Sequence, residues 1–135
     1  MNVMCLSRRW LLIAALFMCN EGAFAGEVFV ISNGVATMTA EELKEVFLGE
    51  SQFAGTLKLQ PVDNAGAQAE FLARVLNMAA QKYVSVWRKK AFLEGLNAPP
   101  MKATDAEVVN FVKTHGGAIG YVTTPPQGVH VVGKF

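Results

Sequence analysis

Cysteine is scarce in this chain of 135 residues, which has only Cys5 and Cys19. Both lie within the first 25 positions. The rest therefore has no thiol for a disulfide, a thiolate metal site or a nucleophile. Histidine is equally scarce, with His115 and His130 alone. Neither has a His or carboxylate partner at metal-ligand spacing, and no Gly-x-Ser-x-Gly elbow occurs. His115 falls in the last turn of an expected helix, where the helix dipole favours a cation, and a structural role follows. An excess of one charge is missing too. The chain has 12 basic and 11 acidic residues. Setting aside Arg8, Arg9 and Glu21 leaves ten of each sign in residues 26–135. That balance speaks against nucleic acid and against a polybasic membrane contact. Repeats, low-complexity tracts and linkers are absent as well. The expectation is a protein that is not an enzyme, with no cofactor and no metal.

The one long apolar run, Trp10 to Cys19, is shorter than the roughly 20 residues a membrane-spanning helix needs. Arg8 and Arg9 precede it, and Ala23-Phe24-Ala25 follows with small residues at the two positions a signal peptidase reads. This is the order of a secretory signal peptide over residues 1–25, cleaved after Ala25. An N-terminal membrane anchor is the alternative. Ser7-Arg8-Arg9-Trp10 resembles a twin-arginine motif, but the very apolar core suits the general secretory route. Met18 before Cys19 makes a poor lipoprotein site. The expected location is periplasmic or secreted. Residues 26–135 are the length of one domain.

Along those residues, Glu27 to Ser32 reads as a strand covered on both faces. Thr39 and Glu42 form a capping box that opens a helix, with Leu43, Val46 and Phe47 on one face and Gly49 as its stop. Leu57 to Val62 reads as a second strand. Phe71, Leu72, Val75, Leu76 and Ala79 then form a helical stripe. A further helix would turn Tyr83, Val84, Trp87 and Ala91 inward. It carries Arg88-Lys89-Lys90, which reads as a solvated face or as a contact to a partner or anion. Pro99-Pro100 closes that region. Thr104 and Glu107 open the next helix, with Val108, Val109, Phe111 and Val112 at helical spacing. Gly116-Gly117 should end it by closing its last turn in the left-handed conformation. Ala118 to Val122 is a buried strand, and Val129 to Val132 a last strand, at an edge. Phe71, Leu72, Val75, Phe111, Val112 and Ile119 are the expected core. This order of elements indicates an α/β fold, a small sheet flanked by helices.

Asp63-Asn64-Ala65-Gly66-Ala67-Gln68 joins a strand to a helix. A helix start offers unpaired amides and the positive end of the dipole, and so attracts anions. Ligands of open α/β sheets gather at this edge. Asn64 and Gln68 would supply side-chain donors, and Gly66 and Ala67 backbone amides. Ser32 and Asn33, at the end of the first strand, are weaker ligand-binding candidates. The alternative is an ordinary helix cap by Asp63 or Asn64.

Gly117-Ala118-Ile119-Gly120-Tyr121-Val122 resembles a segment of the periplasmic phosphate-binding proteins that feed ABC transporters. There a helix ends in Gly-Ala-Ile-Gly-Tyr-Val. Leu43 to Gly49 is similar to the family's Leu-x-x-Ile-Phe-x-Gly, and Phe53 stands near the place of a tryptophan. The family's Asp-Gly-Ser-Gly-Thr loop is matched by Asp63 and Gly66, with Phe71 further along. Ala65 and Ala67 stand where Ser and Thr are expected, Asn64 replaces the first Gly, and the family's arginine is missing from Leu57 to Val62. The resemblance runs from about Val28 to Val122 and covers the second of the family's two lobes. It implies one lobe of a type II periplasmic-binding-protein-like fold, a small oxyanion such as phosphate as ligand, and a membrane transporter or other periplasmic protein as partner. Its departures imply the alternative, a lobe without ligand that serves as a secreted protein-interaction module. Oligomeric state is left open.

Overall fold

The computed structural model describes residues 26–135. The signal peptide expected over residues 1–25 lies outside the described residues. Strand β1 (Phe29–Ser32) leads through Asn33-Gly34 to helix α1 (Ala40–Phe47). The Thr39 hydroxyl accepts from the Glu42 amide at 3.2 Å, and the Glu42 carboxylate accepts from the Thr39 amide at 2.7 Å. The expected capping box is therefore complete. Gly49 ends the helix at φ +73°, a conformation that costs glycine little.

The strand expected over Leu57–Val62 is broken into pieces. β2 (Phe53–Ala54) and β3 (Leu57–Lys58) form a hairpin that turns at Gly55, φ +61°. β4 (Gln60–Pro61) enters the main sheet and β5 (Asp63–Asn64) leaves it. The Gln60 and Val62 amides donate to the Gly117 and Ile119 carbonyls, 2.9 and 2.8 Å. Pro61, which has no N–H to offer, falls between these two donors on the sheet edge, where proline is tolerated.

Helix α2 (Gln68–Phe71) runs on as a π-turn over Leu72–Leu76 and ends at Asn77, φ 48°. Helix α3 (Ala80–Glu94) follows. Next come β6 (Met101–Lys102), α4 (Asp105–Thr114), β7 (Ala118–Val122) and β8 (His130–Lys134). The main sheet has the order β4-β7-β1-β8. β4 is parallel to β7, and β1 is antiparallel to both β7 and β8. β5 and β6 pair in parallel as a separate short ladder. The last strand lies at the sheet edge, as expected.

Alternation along the strands separates two apolar layers. Val28, Val30, Ile119 and Tyr121 face α1, α2 and the π-turn. Ile31, Ala118 and Val122 face α4 through Val108 and Val112. Phe71 stacks on Tyr121 with ring centroids 3.9 Å apart, and Phe47 meets Phe71 edge-on at 4.7 Å. Phe71, Leu72, Val75, Val112 and Ile119 are buried as expected. Phe111 is only half-buried, with the His115 ring stacked at 4.0 Å and the Lys102 ammonium 5.2 Å from its centroid. Val84 and Ala91 are exposed rather than inward, because α3 meets the body only along its Tyr83–Trp87 edge.

The glycines of the Gly116 to Val122 run have different uses from the expected one. Helix α4 ends at Thr114 with His115 extended, and the left-handed residue is Gly117, φ +83°. A Cβ on Gly117 would lie 2.0 Å from the Lys58 carbonyl oxygen. A Cβ on Gly120 would lie 2.6 Å from Val108 and 2.9 Å from Val62. Gly117 therefore lets two chain segments cross, and Gly120 lets α4 lie directly on β7.

Candidate functional site

The Asp63–Gln68 segment sits where the chain leaves the sheet beside β7. Its backbone is held by Asp63 N donating to the Pro100 carbonyl and Ala65 N to the Lys102 carbonyl, both 2.8 Å. Asp63 is 2% exposed. Its two oxygens accept from the Tyr121 and Tyr83 hydroxyls, each at 2.8 Å. Burial pushes this carboxyl above its usual 3.8, while the two phenol hydrogen bonds pull the other way. Burial and the adjacent Asp63 charge both drive the two phenols well above the usual tyrosine range.

Asn64 is fully buried. Its amide nitrogen donates to Asp105 Oδ1 at 2.7 Å and to the Tyr121 carbonyl at 3.0 Å. An amide nitrogen has two protons, and both are engaged. Its Oδ1 accepts from Gly66 N at 3.0 Å, and its carbonyl accepts from Ala67 N at 3.1 Å. Three of the donor groups expected to face a ligand are thus used inside the fold: Gly66 N and Ala67 N close the turn on Asn64, and Asn64 Nδ2 ties it to α4 and β7. Ala67 is 1% exposed and Gln68 half-buried at the first position of α2. Neither Asp63 nor Asn64 caps the helix. The cap position is Ala67, which has no side chain able to accept.

Ser32 and Asn33 are not brought to this loop. They lie at the other end of the sheet, with Ser32 opposite Ile119, whereas Asn64 meets Tyr121. Asn33 Nδ2 donates to the Val112 carbonyl at 3.0 Å, at the C-terminal end of α4. That end carries partial negative charge and disfavours an anion. Ser32 is 2% exposed, and its hydroxyl has no hydrogen-bond partner among the described residues.

Asp105 is the polar centre that sequence reasoning missed. Besides Asn64, its carboxylate accepts from the amides and hydroxyls of Thr123 and Thr124, 2.9–3.2 Å. Burial would raise this carboxyl, but the bonds from Asn64, Thr124 and Thr123 outweigh it and hold it below 3.8. The available signal was Thr104, which caps α4 and so places Asp105 in its first turn. Thr123-Thr124, just before Pro125-Pro126, carries only a turn signal. Asp63, Asn64 and Asp105 together pin the loop to β7, α3 and α4. This arrangement holds helices in place. No group of three or more His, Cys, Asp or Glu among the described residues is placed to hold a metal. No helix among them is long and apolar enough to cross a membrane.

The fold is that of a lobe of the type II periplasmic binding proteins. The chain is similar to PstS from Borrelia burgdorferi, with 14% identity and a TM-score of 0.52 over 70% of this chain and 39% of that one. It is also similar to an ABC-type phosphate transport receptor from Vibrio cholerae, with 10% identity and a TM-score of 0.51 over 78% of this chain and 44% of that one. The chain therefore spans about two fifths of the length of these structures. No family model and no curated protein sequence matches it.

Proposed function

We propose that residues 26–135 form a single-lobe module with a periplasmic-binding-protein fold that acts through contacts with other proteins, outside the cytoplasm and without enzymatic activity. The observation that carries this reading is the engagement of Asn64 Nδ2, Gly66 N and Ala67 N inside the fold. A donor already bonded to the protein must break that bond to take a ligand. The buried Asp63 carboxylate beneath the loop adds a negative field that opposes an anion. Calorimetric titration with phosphate tests the reading. It expects no tight saturable binding, and submicromolar affinity would overturn it.

The second reading is a receptor for a small oxyanion, phosphate, working with a membrane transporter. It is favoured by the similarity to PstS and to an ABC-type phosphate transport receptor, and by the strand-loop-helix layout at Asp63 to Gln68. Both readings share export through a signal peptide cleaved after Ala25. The intact mass of the exported protein should correspond to a chain that starts at Gly26. Retention of Met1 in a membrane fraction would instead support the anchor.

A further inference from the structure

Helix α3 carries four cations, Lys82, Arg88, Lys89 and Lys90, and one carboxylate, Glu94. Its net charge is +3. The other residues from 26 to 135 hold six cations and nine carboxylates, a net −3. Exposed apolar side chains also concentrate on this helix. Phe92 is 88% exposed, Leu93 64% and Val84 52%. Tyr83 and Trp87 are its only buried residues, and positions 91–95 are all exposed. Neither of the two ion pairs found among the described residues involves an α3 cation.

A matching surface lies on the same chain. Glu41, Glu42, Glu45 and Glu50, on and just after α1, are all exposed. Glu42 and Glu45 border a depression of about 220 Å³ whose walls include Val35, Met38 and Phe53. Phe53 is itself 55% exposed. A slot of mixed lining, with apolar side chains on its walls and carboxylates at its rim, suits a helix end that presents Phe and Leu beside cations. Complementary charge of this kind fixes register and steers encounter.

We infer that two copies of this chain pair reciprocally, the α3 end of each lying in the acidic groove of the other. Both copies then use the same two patches, and the assembly closes as a two-fold dimer. Contact of α3 with α3 would oppose like charges and is disfavoured. The inference names a partner within the interaction-module reading and rests on it.

Sedimentation velocity on the protein as released by the cell tests the pairing. At low salt the mass should rise from one copy toward two with concentration. About 1 M salt, where the Debye length is ~3 Å, should reverse this. Arg88→Glu with Lys89→Glu, and separately Glu45→Lys, should each give a one-copy species. Mixing the two variants should restore a dimer, because each reversed patch then meets its opposite. All three altered positions are exposed, and circular dichroism checks that the variants fold. A one-copy mass for the unaltered chain at every concentration overturns the pairing. So does a dimer that both reversed variants retain, or a mixture that stays monomeric. The phosphate titration separates this from the broader reading. Tight phosphate binding overturns the module itself, whereas a monomer that ignores phosphate overturns only the pairing.

Discussion

Asp63 accepts from two phenols, whereas Asp105 accepts from Asn64 and from the amides and hydroxyls of two threonines. At Asp63 burial outweighs the bonds, at Asp105 the bonds outweigh burial, and the two therefore have opposite pH signatures. Asp63 is raised above 3.8 in the fold. Its contribution to stability is fully present below that value and is lost as pH rises through the folded pKa. Asp105 is lowered. Its contribution is present above 3.8 and is lost as pH falls through the folded pKa. Urea unfolding from acid to neutral pH should show both slopes. Asp105→Asn should flatten the loss of stability below pH 3.8. Asp63→Asn should remove a weakening that develops above that value. Curves parallel to the unaltered chain in both variants would mean that neither carboxylate titrates with folding. Tyr121→Phe removes one donor to Asp63 and should cost about 1.5 to 3 kcal/mol, the range for hydrogen bonds to charged groups. Phe71→Ala removes the ring that stacks on Tyr121 and should cost about 3 to 5 kcal/mol, measured on the same unfolding curves.

At the level of elements, glycine spacing turns into packing. Gly120→Ala would drive a methyl into Val108 and Val62, an overpacking that typically costs about 1 to 3 kcal/mol. Gly117→Ala should cost more. Its Cβ would overlap the Lys58 carbonyl, and its φ of +83° is strained for alanine. Gly116 has open space around it and no positive φ, so Gly116→Ala should stay within about 0.5 kcal/mol. Thermal melts that fail to rank Gly117→Ala as the worst of the three would contradict the crossing at Lys58. These elements show how far the sequence could be read. Capping at Thr39 and Thr104, the apolar run Ala118 to Val122 and the stripe from Phe71 to Leu76 are local signals, and they describe the structure, whereas Ala79, read into the same stripe, is exposed. The break of Leu57–Val62 was hidden because pairing with β7 on one side and the hairpin on the other is decided by tertiary contacts. The exposure of Val84 and Ala91 was hidden for a similar reason. A helical stripe says which residues could be inward, not how much of a helix the body is large enough to cover. The candidate loop was legible as a strand-to-helix junction. The inward turn of the Asn64 amide was not, because its acceptors, Asp105 and Tyr121, lie 41 and 57 positions further on.

For the whole molecule, a single lobe could gain tight anion binding only if added side chains overcame the field at the loop and its open face. Ala65→Ser and Ala67→Thr would supply the two hydroxyls expected by resemblance. Position 65 is exposed and should accept Ser with little change in stability. Position 67 is 1% exposed, and the larger Thr should cost about 1 to 3 kcal/mol by overpacking. The field at the loop would remain unfavourable, because Asp63 stays beneath it and Asn64 stays tied to Asp105. An exposed helix-terminus interaction is worth only about 0.3 to 1 kcal/mol, and water competes for every added hydrogen bond. About −4 kcal/mol of net binding is needed even for millimolar affinity. The match covers about two fifths of the structures the chain resembles, and residues 26–135 hold one main sheet, with no second lobe among them to take the anion out of water. The double variant should therefore bind phosphate no more tightly than roughly millimolar, and salt should weaken whatever binding it has. Calorimetry on the double variant, beside the unaltered chain, reads this directly. Micromolar affinity in the variant would show that the missing hydroxyls, and not the committed donors or the open face, separate this loop from a working oxyanion site.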